Sequence, residues 1–400
     1  MTRFVPETLE ELREAVAAAL AAEEPVEIVA GGSKRGLGRP LQTPHTLDLS
    51  RLSGVREYQP SELVLTASTA TPLAEIEALL DENGQMLAFE PPDWRALLGA
   101  GDARPTLGGT LACNLAGPRR FKAGAARDHF LGFRAVSGRG EVFKAGGKVV
   151  KNVTGYDLCK LMAGSYGTLA VLEEVTVKVL PRPEAVATAL FAGLAPGDAV
   201  RLMAAALGTP HEISGAAYLP AGFAVPPHSV ALRLEGPAPS VAARCDGLIR
   251  EFADRGAAEI LGDDASRALW RAIGAAAPFA DAAERAVWRV SVAPSRGAEI
   301  AESVAGALDA AWFLDWGGGL LWLAVAERGD AGAAQIRAAI KGADGTGTGH
   351  ATLIRGTLGL RRAVPVFEPQ PAALAALAHR VKDGFDPRRI LNPGRIVDGV

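Results

Sequence analysis

Leu9, Leu12, Val16 and Leu20 recur at helical spacing, and Thr8 with Glu11 reads as a capping box, so the pattern predicts a helix beginning here. Pro25 ends it, and Val26 to Ala30 reads as a buried strand. Leu63 to Ala70 predicts another strand. Thr71-Pro72 then opens a helix, with proline at the first helical position and Leu73, Ile76 and Leu80 on its inner face. Phe130 to Val136 and Glu141 to Phe143 flank Ser-Gly-Arg-Gly, a hairpin signal. Leu169 to Leu180 is strand-like, with Val175, Val177 and Val179 on one face and Thr176 and Lys178 on the other. Pro181-Arg-Pro183 stops that strand and stiffens a linker.

Beyond the linker the pattern changes. Residues 184–345 mix short strands, such as Val230 to Leu234 and Leu320 to Val325, with alanine-rich helices, so an α+β domain is expected. Gly342 to Gly349 reads as a flexible crossing. A last helix around Leu374, Leu377 and Val381 leads into Phe385-Asp-Pro-Arg-Arg-Ile-Leu-Asn-Pro-Gly394. The expected division is 1–183, 184–345 and 346–400.

Composition narrows the class only a little. Hydrophobic residues make up 48% of the 400, charged residues 22%, and the net charge is −3. That describes an ordinary globular chain with no field suited to nucleic acid or an anionic membrane. Cys113, Cys159 and Cys245 have no metal-ligand spacing and fit a reduced, cytoplasmic setting. No signal peptide or transmembrane run is read, and no metal site is expected.

Three glycine-rich loops carry the chemistry. The first, Gly31-Gly32-Ser33-Lys34-Arg35-Gly36, follows directly on a strand. A Walker A loop needs Lys-Ser/Thr after its second glycine, and Leu37-Gly38 stands there instead. The Rossmann fingerprint is also absent. What remains is either a tight surface turn or a phosphate cradle in which amide N–H groups line an anion nest, with charge from Lys34, Arg35 and Arg39. The second loop, Pro105 to Asn114, sets Gly108-Gly109 between Thr106 and Thr110. It suits contact with a flat ring or a phosphate, or a plain strand-to-helix turn. The third runs from Asn152 to Val171 and packs Gly155, Gly164 and Gly167 among polar residues. Leu158 and Leu161 would pin its helix into the core, and Tyr156 and Tyr166 read as core aromatics or ligand contacts.

These loops, with the terminal Leu391-Asn-Pro-Gly394, resemble the vanillyl-alcohol-oxidase type of FAD-binding protein over residues 1–183 and again at about 384–396. Pro118-Arg-Arg120, Arg127-Asp128, Lys151 to Leu158 and Lys178 to Pro183 narrow the resemblance to the smaller, E-type FAD-binding subunits of bacterial glycolate oxidases. The resemblance implies an α+β fold, with a two-subdomain FAD-binding domain, a cap-like α+β domain and a C-terminal return to the flavin domain. It implies that Gly31, Gly32, Ser33, Lys34, Arg35, Gly36 and Leu37 hold the pyrophosphate. Pro105, Thr106, Gly108, Gly109, Thr110 and Asn114 would border the ribityl chain and the ring. Asn152, Gly155, Tyr156, Gly164 and Ser165 belong to the third loop; Tyr166 to Leu172, with Gly167, Thr168, Leu169 and Val171 among them, would supply main-chain contacts around the adenosine side. Asn392 would close over the flavin.

The same resemblance implies oxidation of glycolate, a 2-hydroxy acid, to glyoxylate within a complex. The partners would be a larger homologous flavin subunit and an iron–sulfur subunit, so association with the inner face of the cell membrane would be peripheral at most. Covalent flavin attachment needs a His or Cys near the ring; the first loop has neither, and Cys113 lies in the second loop, as a small buried residue or as a link, so non-covalent FAD is expected. The paired-histidine segment of the larger catalytic members is missing, and Gly347-Thr-Gly-His350 is its nearest remnant. His350 reads as a loop residue or a base. Arg119, Arg120 and Arg127 would bind an anionic substrate or stabilise reduced flavin. Two alternatives stay open: a self-sufficient 2-hydroxy-acid dehydrogenase such as a D-lactate dehydrogenase, and a non-catalytic structural partner. Trp312, Trp316 and Trp322 fit either an interface or the core.

Overall fold

Among the described residues, three large β-sheets and a two-stranded one, Gln85–Met86 with Leu180–Pro181, organise the chain. The computed structural model describes residues 2–148, 155–343 and 345–400. The helix Leu9–Ala22 starts at Thr8, whose hydroxyl accepts from the Glu11 amide, and buries Leu12 and Val16. It covers a three-stranded parallel sheet of Thr2–Phe4, His45–Asp48 and Val26–Val29. A five-stranded antiparallel sheet follows, in the order Val55–Gln59, Val64–Ser68, Ala170–Lys178, Phe130–Ser137 and Val142–Gly146. Val175, Val177 and Val179 are fully buried in its core, with Leu73, Ile76 and Leu80 of the helix Leu73–Glu82 packed in the same cluster.

Residues beyond Pro183 build an eight-stranded antiparallel sheet. Its order is Ala258–Leu261, Ala185–Phe191, Ser229–Gly236, Gly215–Leu219, Ala310–Asp315, Leu320–Ala326, Arg285–Val292 and Gly349–Arg355. Side chains alternate across it. Trp288, Val290 and Leu323 pack beneath the helices Pro196–Leu207, Ala238–Glu251, Gly297–Ala307 and Ala333–Lys341. Val287, Phe313 and Trp322 point the other way, onto Leu37, Trp94 and Leu97 of the first part. One face is thus a core of its own, and the other is turned toward the glycine-rich loops.

Two sequence expectations shift. The division at 345/346 does not follow the sheet, because Gly349–Arg355 pairs with Arg285–Val292 and extends the second unit to Arg355. The last helix, Ala372–Phe385, leaves Leu374 and Leu377 exposed at 52% and 46%, while Lys382 is fully buried. Of the spaced residues only Val381 packs on the core, and the most deeply buried residue of the helix is a lysine.

Candidate functional site

A cavity of about 110 Å³ opens where the first loop, the second loop, Ser165-Tyr166-Gly167 and the C-terminal stretch converge. Ile28, Leu49, Ala170 and Leu172 supply apolar wall; Gly31 to Arg35, Thr69, Thr106, Gly108, Gly109, Ser165 and Asn392 supply polar edge. Gly31 is needed because a Cβ there would overlap the Arg104 carbonyl, which lies against the loop as the Arg104 amide donates to Gly31 O at 2.8 Å. Gly32 has φ +76°, a backbone state that side chains strain. Among the described residues, the amides of Gly32, Ser33 and Lys34 find no protein acceptor. Burial pushes the Lys34 ammonium below its ordinary value, and its one hydrogen bond goes to Ser33 Oγ at 3.2 Å. Free amides and an uncompensated cation beside an apolar wall form the donor set of a site for a phosphate-bearing aromatic group, and FAD fits it.

The remaining predicted residues divide. Arg35 is paired with Glu27, its Nε donating to Oε1 at 3.0 Å, so its charge is already compensated. Gly36 rests near Leu98, and Leu37 is core. Pro105 lines a second, open cavity behind the Arg104–Thr106 segment. Thr110 donates to Thr106 O and Thr168 to Ser165 O, so both hydroxyls shape loops. Asn114 accepts from the Arg127 amide. Gly164 caps the turn by donating to Leu111 O, while Leu169 and Val171 are core. Gly155 and Tyr156 are exposed, Tyr156 by 94%, and do not line the cavity. Asn152 lies outside the described residues. In the helix Leu158–Met162 it is Cys159 and Met162 that are buried, with Leu158 and Leu161 only partly so.

Asn392, at the edge of the cavity, also holds three pieces together. Its Oδ1 accepts from Ile28 N at 2.8 Å, its Nδ2 donates to Tyr166 O at 2.8 Å, and its amide N donates to Val26 O. Arg395, unforeseen, donates to the carbonyl of Arg35 at 3.1 Å and lines the cavity. The signal available was its place directly after Asn392-Pro-Gly394. Cys113 also lines the cavity, and burial pushes its thiol up to about 11.

The four catalytic candidates separate. Arg119 turns away from the first cavity; it salt-bridges Glu235, its amide binds Glu90 at 2.7 Å, and it lines the second cavity. Glu90 in turn accepts from Arg233 at 2.7 Å, so the network joins the first part to the eight-stranded sheet. Arg127 is exposed and its nearest carboxylate is Asp128 at 3.7 Å. Arg120 lies over the Trp316 ring, 4.5 Å from its centroid. Arg289, which sequence reasoning missed, lies over the same ring at 4.9 Å. His350 stands opposite Ser291 in the strand register, two residues from Arg289. His350 is exposed at its strand, yet the desolvation of its ring lowers its pKa and the charges of Arg289 and Arg120 lower it further, which favours a neutral ring. Asp315, next to Trp316, is pushed up to about 7 by burial. Of the other tryptophans, Trp322 is core and Trp312 packs on Tyr218 at 5.8 Å.

Residues 3–146 match a family model described as an FAD binding domain. Over 386 residues the chain is 35% identical to the glycolate oxidase subunit GlcE of Escherichia coli (strain K12), covering 96% of each. It is 30% identical to the glycolate oxidase subunit GlcD of Bacillus subtilis (strain 168) over 174 residues, 43% of this chain and 35% of that one. Among solved structures, 4-ethylphenol oxidase from Gulosibacter chungangensis superposes with a TM-score of 0.71 at 15% identity, covering 99% of this chain and 89% of that one. p-Cresol methylhydroxylase superposes with a TM-score of 0.69 at 16% identity, covering 99% and 88%. These last two show a shared fold.

Proposed function

Since this chain belongs to the family of the glycolate oxidase E subunits, FAD-dependent oxidoreductases, we propose that it is the FAD-bearing subunit of a heteromeric complex that oxidises glycolate to glyoxylate. The observation that carries this reading is the cavity where three glycine-rich loops converge and where, among the described residues, the first leaves free amides and a Lys34 without an ion pair beside an apolar wall. When bound, FAD supplies a two-electron acceptor able to pass electrons onward. Gly32, Ser33 and Lys34 hold the pyrophosphate with amides and one ammonium. Thr106, Gly108 and Gly109 border the ribityl chain, and Ile28, Leu49, Ala170 and Leu172 exclude water from the apolar portion. Arg395 and Asn392 fix the first and third loops at their proper spacing. Attachment is non-covalent, because a thiol as weakly acidic as Cys113 remains protonated and is a poor nucleophile at neutral pH.

In this reading a larger homologous flavin subunit carries substrate oxidation, and an iron–sulfur subunit carries electrons away. Two of the four candidate catalytic residues support it, since Arg119 is held by carboxylates and Arg127 faces solvent. The test is the visible spectrum of the purified chain, followed by anaerobic glycolate with and without the larger subunit. A flavin spectrum unchanged by glycolate alone, and bleached once the larger subunit is added, is expected. Bleaching by this chain alone would establish the self-sufficient dehydrogenase instead. Absence of flavin even after incubation with FAD would leave a structural partner.

A further inference from the structure

The second cavity, open behind the Arg104–Thr106 segment, is a space of about 890 Å³ that the flavin reading leaves unused. Two helices form its long walls. Ala74, Glu77 and Asp81 of the helix Leu73–Glu82 line it from the first part of the chain. Arg267, Arg271 and Gly274 of the helix Asp263–Gly274 line it from the second. Both sets follow the spacing of three and four that places side chains on one face of a helix. One helical wall is therefore acidic and the other basic.

Part of this charge is already matched. Asp81 pairs with Arg182, and Arg267 pairs with Asp263. Among the described residues, the side chains of Glu77 and Arg271 have no hydrogen bond and no ion pair, although they share the cleft. Desolvation in the cleft and the charge of Asp93 push the Glu77 carboxyl up, as befits a carboxylate short of a cation. Opposite charges on facing walls attract, yet these walls are held apart. Trp94 Nε1 donates to Gly274 O at 2.9 Å, which pins one end of the basic helix to the first part. The Arg119–Glu235 and Arg233–Glu90 pairs join the same two parts within the cleft. The groove is thus preformed and its two free charges point to an occupant.

Size indicates which kind. Each wall stripe runs for about 10 Å at a rise of roughly 1.5 Å per residue. A space of about 890 Å³ along that length has a cross-section on the order of 90 Å², close to that of a helix roughly 10 Å across. Leu73, Met86 and Leu87 add apolar surface against which such a helix buries a third face. We propose that this cleft is a docking groove for one amphipathic helix of the larger flavin subunit, with basic residues turned to Glu77 and Asp81 and carboxylates turned to Arg267 and Arg271. This rests on the reading of the chain as one subunit of a heteromeric complex and goes beyond it by locating the contact.

The experiment is association of the flavin-loaded full-length chain with the purified larger flavin subunit, read by biolayer interferometry at low and high salt. Wild type is expected to bind, and more weakly at high salt, since exposed charges are screened. Glu77→Lys and Arg271→Glu, both at exposed positions, should each weaken binding about tenfold or more by setting like charges against each other. Flavin content should not change. Arg250→Glu, on the helix Ala238–Glu251 that covers the other face of the eight-stranded sheet, should bind as wild type does. A photo-crosslinker carried on Ala74→Cys should attach to a helical segment of the larger subunit, identified by mass spectrometry in a mixture that also contains the iron–sulfur subunit. The proposal is overturned if both swaps bind as wild type does, or if Arg250→Glu weakens binding as much as they do. It is equally overturned if the crosslinker attaches only to a second copy of this chain, only to the iron–sulfur subunit, or to nothing while the complex forms. In those cases the complex reading stands and the groove alone is refuted. If wild type and the larger subunit do not associate at all, both fall together.

Discussion

At the residue scale, the decisive quantities are a dihedral angle and an uncompensated charge. Gly32 has φ +76°, so Gly32→Val combines backbone strain with a side chain beside the free amides. The variant is expected to purify without flavin, read as the ratio of visible to protein absorbance. Lys34→Met removes a charge-assisted contact worth about 1.5–3 kcal/mol, so FAD affinity should fall roughly 10- to 100-fold by calorimetric titration. Cys113→Ala should keep its flavin, and acid precipitation should release all colour from wild type and variant alike, since the thiol at about 11 stays protonated. Colour retained on the wild-type pellet would contradict the non-covalent reading. The glycines were legible in sequence because turn chemistry is local. The fate of neighbours was not: Arg119 and Arg120 are adjacent, yet one salt-bridges Glu235 and the other lies on Trp316.

At the scale of elements, the helix Ala372–Phe385 shows how a polar anchor overrides hydrophobic spacing. Lys382 Nζ, fully buried, donates to Thr168 O at 2.6 Å, to Asp386 Oδ2 at 2.7 Å and to Leu391 O at 3.0 Å. Asp386 in turn accepts from the amides of Ile390 and Leu391. The pair thereby positions the turn that delivers Asn392 and Arg395 to the cavity. Lys382→Met leaves a buried carboxylate without its cation, which costs about 3–5 kcal/mol. Urea unfolding should show that loss, and flavin occupancy should fall with it. Replacing Asp386 as well, as Lys382→Met with Asp386→Leu, should recover part of the stability but not the flavin, because the amides of Ile390 and Leu391 remain unpaired. Strands and capped helices were readable from alternation and spacing. This lysine was not, since a basic residue on an alanine-rich helix ordinarily faces solvent.

On the scale of the whole molecule, the two halves are joined by charge as well as by apolar packing. Burial alone would raise the Glu90 carboxyl, but Arg233 and Arg119 together hold it below its ordinary 4.5. A carboxylate depressed in the folded state contributes stability that is present above 4.5 and is lost as pH falls through the folded value. Glu90→Gln should therefore be less stable than wild type at neutral pH, by about 3–5 kcal/mol as for a broken buried pair. The gap between the two melting temperatures should close as the pH is lowered below 4.5. A gap that stays constant into acid would mean that the carboxylate charge does not join the halves. No helix of the described residues is long and apolar enough to cross a membrane.

What the amino-acid sequence determined by itself was local: the capped first helix, the alternating strands, the glycine-rich loops and, through them, the flavin family. Those features depend on turn conformation, side-chain period and backbone access, which act over a few residues. The tertiary structure alone decided which charges are spent and which are free. Arg35 is neutralised by Glu27, Arg119 by Glu235 and Glu90, and Lys382 by Asp386, whereas among the described residues Lys34, Arg120 and Arg289 form no ion pair. Most of those outcomes turn on contacts between groups distant along the chain, and a charge reveals whether it is available for a ligand only when its surroundings are known.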